Sequence, residues 1–344
     1  MTPKTAIALS GGIDSLVAAC LLKEQGHRLL GIHFSTGYES LLPDRIHSVA
    51  RQLDIPLEIL DVSDLFRRNV VDYFVGTYQA GMTPNPCLVC NPVVKFGAVL
   101  RRAEAMGAAS LATGHYVRVR QGSDGAPRLF RGLDRSKDQS YFLAFLRRSQ
   151  LSRALFPLGG LTKDAVRRIA AEKGLAPTER RESQDVCFIR DSYGEFLRRT
   201  GRVPLRPGPI VDAGGRVIGA HKGLHQFTVG QRRGINCPAK EPYYVLALDP
   251  CANRLVVGFK KDLAVRRCRL SGVRWIARPP GGGVRLMVRI RYRHTAVPAV
   301  FEPAAGGEGM LVFDRPETAV TPGQGAVFYR EDEVLGAGWI ERYR

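Results

Sequence analysis

The chain has no apolar run that approaches the length of a bilayer span, which excludes an ordinary helical membrane protein. Its start, MTPKTAIALSGG, pairs a short apolar run with a polar, glycine-bearing turn and does not read as a secretory signal, so a cytoplasmic location is expected. Cysteine is sparse and irregular: seven residues, at 20, 87, 90, 187, 237, 251 and 268, form no even, regularly spaced framework. That pattern excludes a disulfide scaffold and favours reduced thiols, some of them chemical. No second C-x-x-C follows to complete a four-ligand zinc knuckle around Cys87 and Cys90. Internal repeats and low-complexity tracts are absent as well.

Acidic residues are also short, with 32 Asp and Glu against 51 Lys and Arg and a net charge of +19. Ten lysines leave 41 arginines. A genome-wide bias toward arginine codons would explain arginine over lysine but not the shortage of acid. A polyanionic partner, most simply nucleic acid, fits both, because arginine pairs phosphates in bidentate fashion and stacks on bases.

At 344 residues the chain is long enough for two or three domains. In the first half, short apolar strands alternate with helical spacing: Thr5–Leu9, a helix from Leu16 to Gln25 stopped by Gly26, Arg28–Phe34, then further pairs to Ala109–Thr113. The alternation predicts an α/β domain with a parallel sheet, binding its ligand at the carboxyl ends of the strands. Leu65–Gln79 and Lys95–Met106 have helical spacing, with a cysteine loop before the second. Helices over Leu161–Gly174 and Tyr193–Arg199 are expected to close this domain. After about 203 the chain turns rich in Gly and Pro, and from about 265 it reads as short strands with regular turns. Three domains follow: 1–203 catalytic, 204–264 a small, mainly β adaptor, and 265–344 a C-terminal β-barrel.

The strand-to-helix stretch ALSGGIDS, Ala8–Ser15, carries the first chemistry. Gly11 and Gly12 let backbone N–H groups approach an anion, Ser10 and Ser15 add hydroxyls, and the helix offers its positive end. Asp14 is suited to hold a cation at the phosphates. The lysine and the longer loop of a Walker A sequence are missing. The stretch resembles the pyrophosphate loop of enzymes that cleave ATP to AMP and pyrophosphate. In TPNPCLVCN the cysteines are open to structural, redox, cluster or catalytic readings. Cys187 sits between polar Ser183-Gln184-Asp185 and apolar Phe188-Ile189, where a thiol is either a persulfide carrier at a pocket edge or a buried, inert cysteine.

SGGIDS and TPNPCLVCN, followed in order by ATGHYVR, LDRSKDQSYFL, HQFTVGQRRG and TAVTPGQGAVFY, resemble the bacterial tRNA-specific 2-thiouridylases over nearly the whole chain. The resemblance implies ATP- and Mg2+-dependent adenylation of the C2 oxygen of the wobble uridine, then replacement of that oxygen by sulfur from a relay protein or cysteine desulfurase. By that likeness Cys187 bears the persulfide. Cys90 is the nucleophile that resolves it, leaving a Cys90–Cys187 disulfide. Ala8, Leu9, Ser10, Gly11, Gly12, Ile13, Asp14, Ser15, Phe34 and Gly114 match nucleotide-binding positions. Asn85, Pro86 and Cys87 match the segment meeting the target base. His115, Lys137, Asp138, Gln139, Arg291, Tyr292 and Gln324 match tRNA contacts. From the residues alone, Asp138 also reads as a helix cap and His115 as a hydrogen-bonded turn histidine.

The sequence departs from the family at two places. Cys87 stands where some members have Asp, which makes Cys87, Cys90 and Cys187 candidate ligands of a 4Fe–4S cluster, beside the persulfide–disulfide route. The segment GIHFSTGYESLLPD is short and lacks the usual Trp-bearing acidic stretch, leaving the adenine side of the pocket and a shifted tRNA or sulfur donor open. The competing assignments are an adenylating ligase for a small molecule and an RNA-binding module with a vestigial loop.

Overall fold

The computed structural model describes residues 4–38, 43–178, 186–203 and 205–342. The described chain divides into two compact units. The first comprises residues 1–70, 87–188 and 331–335, and the second residues 71–86, 189–330 and 336–344.

The first unit is built on a parallel sheet of β1 (Lys4–Ala8), β2 (Arg28–Ser35), β3 (Leu57–Asp61), β4 (Ser110–Ala112) and β7 (Ala154–Leu155), in the order β3-β2-β1-β4-β7. Helix α1 (Ile13–Glu24) buries Leu16, Val17 and Leu22 against Ile7 and Leu9 of the first strand segment and Ile46, Val49 and Leu53 of α2 (Pro43–Leu53). Gly26, at φ +84°, terminates α1 in the left-handed conformation that glycine adopts freely. Val166 and Ala170 of helix Lys163–Glu172 complete this core. The hairpin of β5 (Val117–Gln121) and β6 (Pro127–Arg131) completes the strands of this unit, and Glu333 and Val334 pair with Phe130 and Leu129.

The sheet order places β2 on one side of β1 and β4 on the other, so chain direction across the sheet switches between β1 and β4. A crevice at the carboxyl ends of strands forms at such a switch. The Ser10–Ser15 loop and the Thr113–His115 turn leave those two ends.

Two readings of the sequence change here. TPNPCLVCN is not a loop: Pro86–Cys90 is α-helical, Asn91–Val99 continues as a π-helix, and Leu100–Ala105 returns to α. Proline is tolerated in a first turn, where its missing N–H has no partner to lose, and Leu88, Val94, Phe96 and Val99 supply a buried face. The Leu65–Gln79 stretch likewise contains a π segment, Arg67–Val71, between helices Ser63–Phe66 and Asp72–Gln79.

In the second unit, β8 (Gly208–Val211), β9 (Val217–His221), β10 (Tyr244–Asp249) and β11 (Arg254–Gly258) form a sheet in the order β10-β11-β8-β9. Its core contains Ile210, Phe227, Ile235, Val245, Leu255 and Val257. Six strands close a barrel: β12 (Val265–Trp275), β13 (Val284–Arg289), β14 (Val297–Pro303), β15 (Gly309–Glu317), β16 (Gly325–Arg330) and β17 (Glu333–Ile340). They run β12-β15-β14-β13-β16-β17, and β17 pairs back onto β12 through Leu270–Ile340 and Trp275–Gly336. Closure removes free sheet edges, and Trp275 fills the inside against Phe301 and Phe328. Helix Tyr193–Arg199, read from the sequence as closing the first domain, packs in this second unit through Phe196 on Phe74.

Candidate active site

The Ser10–Ser15 loop is internally braced. Ser15 Oγ donates to Gly12 O (2.9 Å) and accepts from Ser10 N (3.3 Å), while Gly11 turns at φ +81°. Gly12 caps α1 without any side-chain cap, so first-turn N–H groups face an incoming anion. Gly114 fits so closely that a Cβ on it would lie 2.8 Å from the Asp14 carbonyl carbon. Its place in the site is therefore steric: it lets the turn after β4 press on the loop after β1. Phe34 is half-buried near the carboxyl end of β2.

Asp14 is the residue expected to hold a cation at the phosphates. Its carboxylate already faces one: Lys163 Nζ lies 2.8 Å from Oδ1 and 2.9 Å from Oδ2. Tyr116 Oη donates to Oδ1 at 2.7 Å. The Lys163 side chain is 6% exposed and that of Asp14 34%. Neither partner was foreseen from the sequence. The local signal for Lys163 is its place directly after Thr162, which caps helix Lys163–Glu172 by accepting from Ala165 N.

The same unit carries the three candidate thiols. Cys87 is half-buried, Cys90 buried and Cys187 exposed, and each carries a reduced thiol. Burial pushes the Cys87 thiol up to about 11, with Cys187 adding to the rise and Lys95 opposing it. Burial pushes Cys90 up to about 12, Lys95 opposes, and Cys187 and Cys87 raise it further. The Cys187 thiol thus acts electrostatically on the other two despite its distance in sequence. Its exposure overturns the reading of a buried, inert cysteine. The next residue, Phe188, is buried against Phe66 (ring centroids 5.5 Å) and Tyr38 (5.8 Å), anchoring the chain just past the thiol. Tyr38 comes from the shortened segment after β2. Ser183, Gln184 and Asp185 lie outside the described residues, as do residues 39–42.

Lys95 is a further residue not foreseen from the sequence. Five residues separate it from Cys90, which in an α-helix would turn the two about 140° apart. In the π-helix that follows Cys90, hydrogen bonds run from i to i+5, so residues five apart stack on one side. The wide turn is braced from outside: Gln150 Nε2 donates to Pro92 O (2.7 Å) and Phe96 O (2.8 Å), and Asn91 Nδ2 donates to Phe142 O (2.9 Å). No periodicity argument tuned to 3.6 residues would have placed Lys95 with the thiols.

Among the described residues, no group of three or more His, Cys, Asp or Glu side chains is arranged to hold a metal ion. Cys87, Cys90 and Cys187 form no such group as placed, and Cys90 and Cys187 are both free thiols here.

His115 follows Gly114 and its Nδ1 lies 2.6 Å from Thr113 Oγ1, the hydrogen-bonded turn histidine foreseen from the residues. Phe96 and Phe156 enclose its ring, and burial, then Lys95, hold its pKa well below 6.5. Gln139 Oε1 accepts from Tyr116 N at 3.0 Å. Asp138 is 4% exposed, and its carboxylate accepts from Gly132 N, Ser140 N and Ser140 Oγ. It organises the loop from within, and residue 139, not 138, occupies the cap position of helix Ser140–Leu143. Lys137 is half-buried beside it.

In the second unit, Asn85 is buried and its Nδ2 lies 3.5 Å from Gln324 Oε1. Gln324 Nε2 donates to Thr83 O (3.1 Å) and Pro84 O (3.0 Å), so this amide fixes the backbone leading to Pro86. Arg291 is exposed, and Tyr292 is half-buried with the Arg289 guanidinium 5.8 Å from its ring centre. No helix among the described residues is long and apolar enough to cross a membrane.

Three family models match the chain in succession. They are described as a tRNA methyl transferase HUP domain (residues 3–191), a tRNA methyl transferase PRC-barrel domain (194–259) and an aminomethyltransferase beta-barrel domain (265–340). The chain is 52% identical to the tRNA-specific 2-thiouridylase MnmA of Desulfosudis oleivorans over 343 residues, covering 98% of this chain and 95% of that one. It is 43% identical to the protein of the same name from Chloroflexus aurantiacus over 350 residues, 98% of each. The one from Moorella thermoacetica is 42% identical over 353 residues, 97% of this chain and 98% of the relative.

Proposed function

Because the chain belongs to the tRNA-specific 2-thiouridylase family, we propose that it is an ATP-dependent sulfurtransferase that converts the C2 oxygen of a tRNA wobble uridine to sulfur. MgATP enters as substrate with its phosphates at the Ser10–Ser15 loop. The uridine C2 oxygen attacks the α-phosphorus, pyrophosphate leaves, and C2 carries AMP as a leaving group. The terminal sulfur of a Cys187 persulfide attacks C2 and AMP departs. The Cys90 thiolate then attacks the Cys187 sulfur, breaking the S–S bond to the base. Thiouridine and a Cys90–Cys187 disulfide result, and a dithiol reductant supplies the two electrons that reset the enzyme.

The observation that supports this best is that Cys87, Cys90 and Cys187 lie in the unit that also carries the nucleotide loop, with Cys187 exposed and acting electrostatically on the other two thiols. The exposed thiol suits a persulfide loaded from a separate donor protein, and the buried one suits a nucleophile shielded until the base arrives. Lys95 is placed to favour the thiolate of Cys90 at that moment. Cys87 stands at the base-facing position as a thiol. Asn85 and Pro86, steadied by Gln324, meet the base beside it. His115, Lys137, Gln139, Arg291 and Tyr292 contact the tRNA, in keeping with the +19 charge and a cytoplasmic site of action. Functionally the chain divides at 1–203, 204–264 and 265–344, as catalytic, adaptor and tRNA-binding parts.

The test is a thiolation assay with persulfide-loaded enzyme, MgATP and unmodified tRNA, with nucleosides of the digested product weighed by mass spectrometry. Wild type yields 2-thiouridine and AMP. Cys90→Ser and Cys187→Ser lose the thiolated product, and Asp14→Ala loses pyrophosphate release. Thiolation that survives Cys187→Ser would overturn the sulfur route. Pyrophosphate exchange with a small metabolite and no RNA would favour a ligase instead.

A further inference from the structure

Two chains of contact run from the Asp134–Gln139 loop to the Asp14 carboxylate, and they arrive through different residues. In one, Asp134 Oδ2 accepts from the Lys163 backbone N–H at 3.0 Å, and the Lys163 ammonium grips both oxygens of Asp14. In the other, Gln139 and Tyr116 bond reciprocally, Tyr116 N to Gln139 Oε1 (3.0 Å) and Gln139 N to Tyr116 O (3.2 Å). The Tyr116 hydroxyl then ends on Asp14. Lys163 and Tyr116 are 5% and 2% exposed, and the ammonium lies 5.8 Å from the centre of the Tyr116 ring.

The same Asp134 carboxylate also sets the loop, since its Oδ1 accepts from Ser136 N (3.0 Å) and Ser136 Oγ (2.7 Å). Lys137 N donates to the Asp134 carbonyl (3.2 Å). One acidic side chain thus holds both the loop carrying Lys137 and the first residue of the helix carrying Lys163.

We infer that Lys163 and Tyr116 are positioning residues that link the nucleotide loop to the Asp134–Gln139 loop, so that nucleotide bound at one and RNA phosphate bound at the other change each other's affinity. This rests on the functional reading above, which assigns ATP to the first loop and tRNA to the second. The physical reason is competition for one cation. A polyphosphate at the Ser10–Ser15 loop attracts the Lys163 ammonium away from Asp14, and a loosened Asp14 also releases the Tyr116 hydroxyl. Both shifts reach the 134–139 loop through the part-buried hydrogen bonds of Asp134 to Lys163 and of Gln139 to Tyr116. Conversely, RNA that holds that loop in one arrangement fixes Lys163 and Tyr116 before nucleotide arrives. Linkage requires the two effects to be equal in size.

The experiment uses the full chain, the non-hydrolysable α,β-methylene analogue of ATP with Mg2+, and unmodified tRNA. Calorimetry gives the analogue's Kd without tRNA and at saturating tRNA. Wild type is expected to show a ratio of about five-fold or more. Tyr116→Phe, which deletes only the hydroxyl, and Asp134→Asn should each bring the ratio toward one. Amide hydrogen exchange of wild-type residues 132–140 should change when the analogue alone binds, a readout that needs no variant. A wild-type ratio of one, unchanged exchange in that segment, or both variants keeping the wild-type ratio would each overturn the linkage. Failure of the analogue or of tRNA to bind at all would instead sink the functional reading beneath it.

Discussion

Asp14→Asn and Lys163→Met break the same ion pair but strand different groups, so their costs should be unequal. Asp14→Asn takes the carboxylate away from an ammonium whose side chain is 6% exposed. Stranding one member of a buried pair destabilises by about 3–5 kcal/mol. The lower value, about 3 kcal/mol, applies because the oxygen of the introduced amide still accepts one hydrogen bond. Lys163→Met leaves a carboxylate that is 34% exposed, still takes the Tyr116 hydroxyl, and can rehydrate. Methionine fills the space of the lysine stem, so the loss is about 1 kcal/mol, near the range of a partly exposed pair. The double variant should recover about 2 kcal/mol relative to the sum of the singles, because neither charge is left to strand. Urea denaturation followed by far-ultraviolet circular dichroism reports the helix-rich first unit. Both tryptophans, Trp275 and Trp339, belong to the second unit, and their fluorescence midpoint should stay put. Lys163→Met costing as much as Asp14→Asn, or strictly additive singles, would refute the account of a sealed ammonium and a wet carboxylate.

Gly114→Ala should weaken ATP binding by about tenfold or more while the chain still folds, since a Cβ 2.8 Å from the Asp14 carbonyl carbon forces the two loops apart; calorimetry with unchanged affinity would contradict it. Iodoacetamide at about pH 8 should label exposed Cys187 and Cys251 first and Cys90 and Cys268 slowest, because burial pushes both of these thiols up to about 12. Peptide mass mapping checks the order, and Lys95→Met should slow Cys90 further. His115 has a folded pKa well below its unfolded 6.5, so the unfolded chain binds the proton first. Its contribution to stability is intact above about pH 6.5 and is lost as pH falls below it, by up to about 1.4 kcal/mol per pH unit. Comparing His115→Gln with wild type at about pH 7.5 and about pH 5.5 isolates that slope, and equal slopes would show that the ring is not held neutral.

The strand-helix alternation, the anion loop and the closing run of short strands were all legible in the sequence. Each depends on neighbours along the chain: an apolar strand, two glycines before a helix, turns at regular intervals. Apolar patterning decides which face of a strand or helix is buried, and burial then makes those elements form. The order of motifs carried the family resemblance for the same reason.

Tertiary structure alone decided where the charges and thiols meet. The Lys163 and Tyr116 partners of Asp14 were not legible because they are remote in sequence, and only the folded chain brings them to its carboxylate. The cysteine segment read as a loop, and Lys95 as an ordinary helix residue, because a π-helix has no signature in a pattern of period 3.6. Asp138 and Gln324 were matched to tRNA contacts by resemblance alone, and the internal hydrogen bonds that both make come only from the packed chain. Local propensity is set by each residue and its near neighbours. Ion pairs and thiol clusters are set by distances through space, which only the packed chain defines.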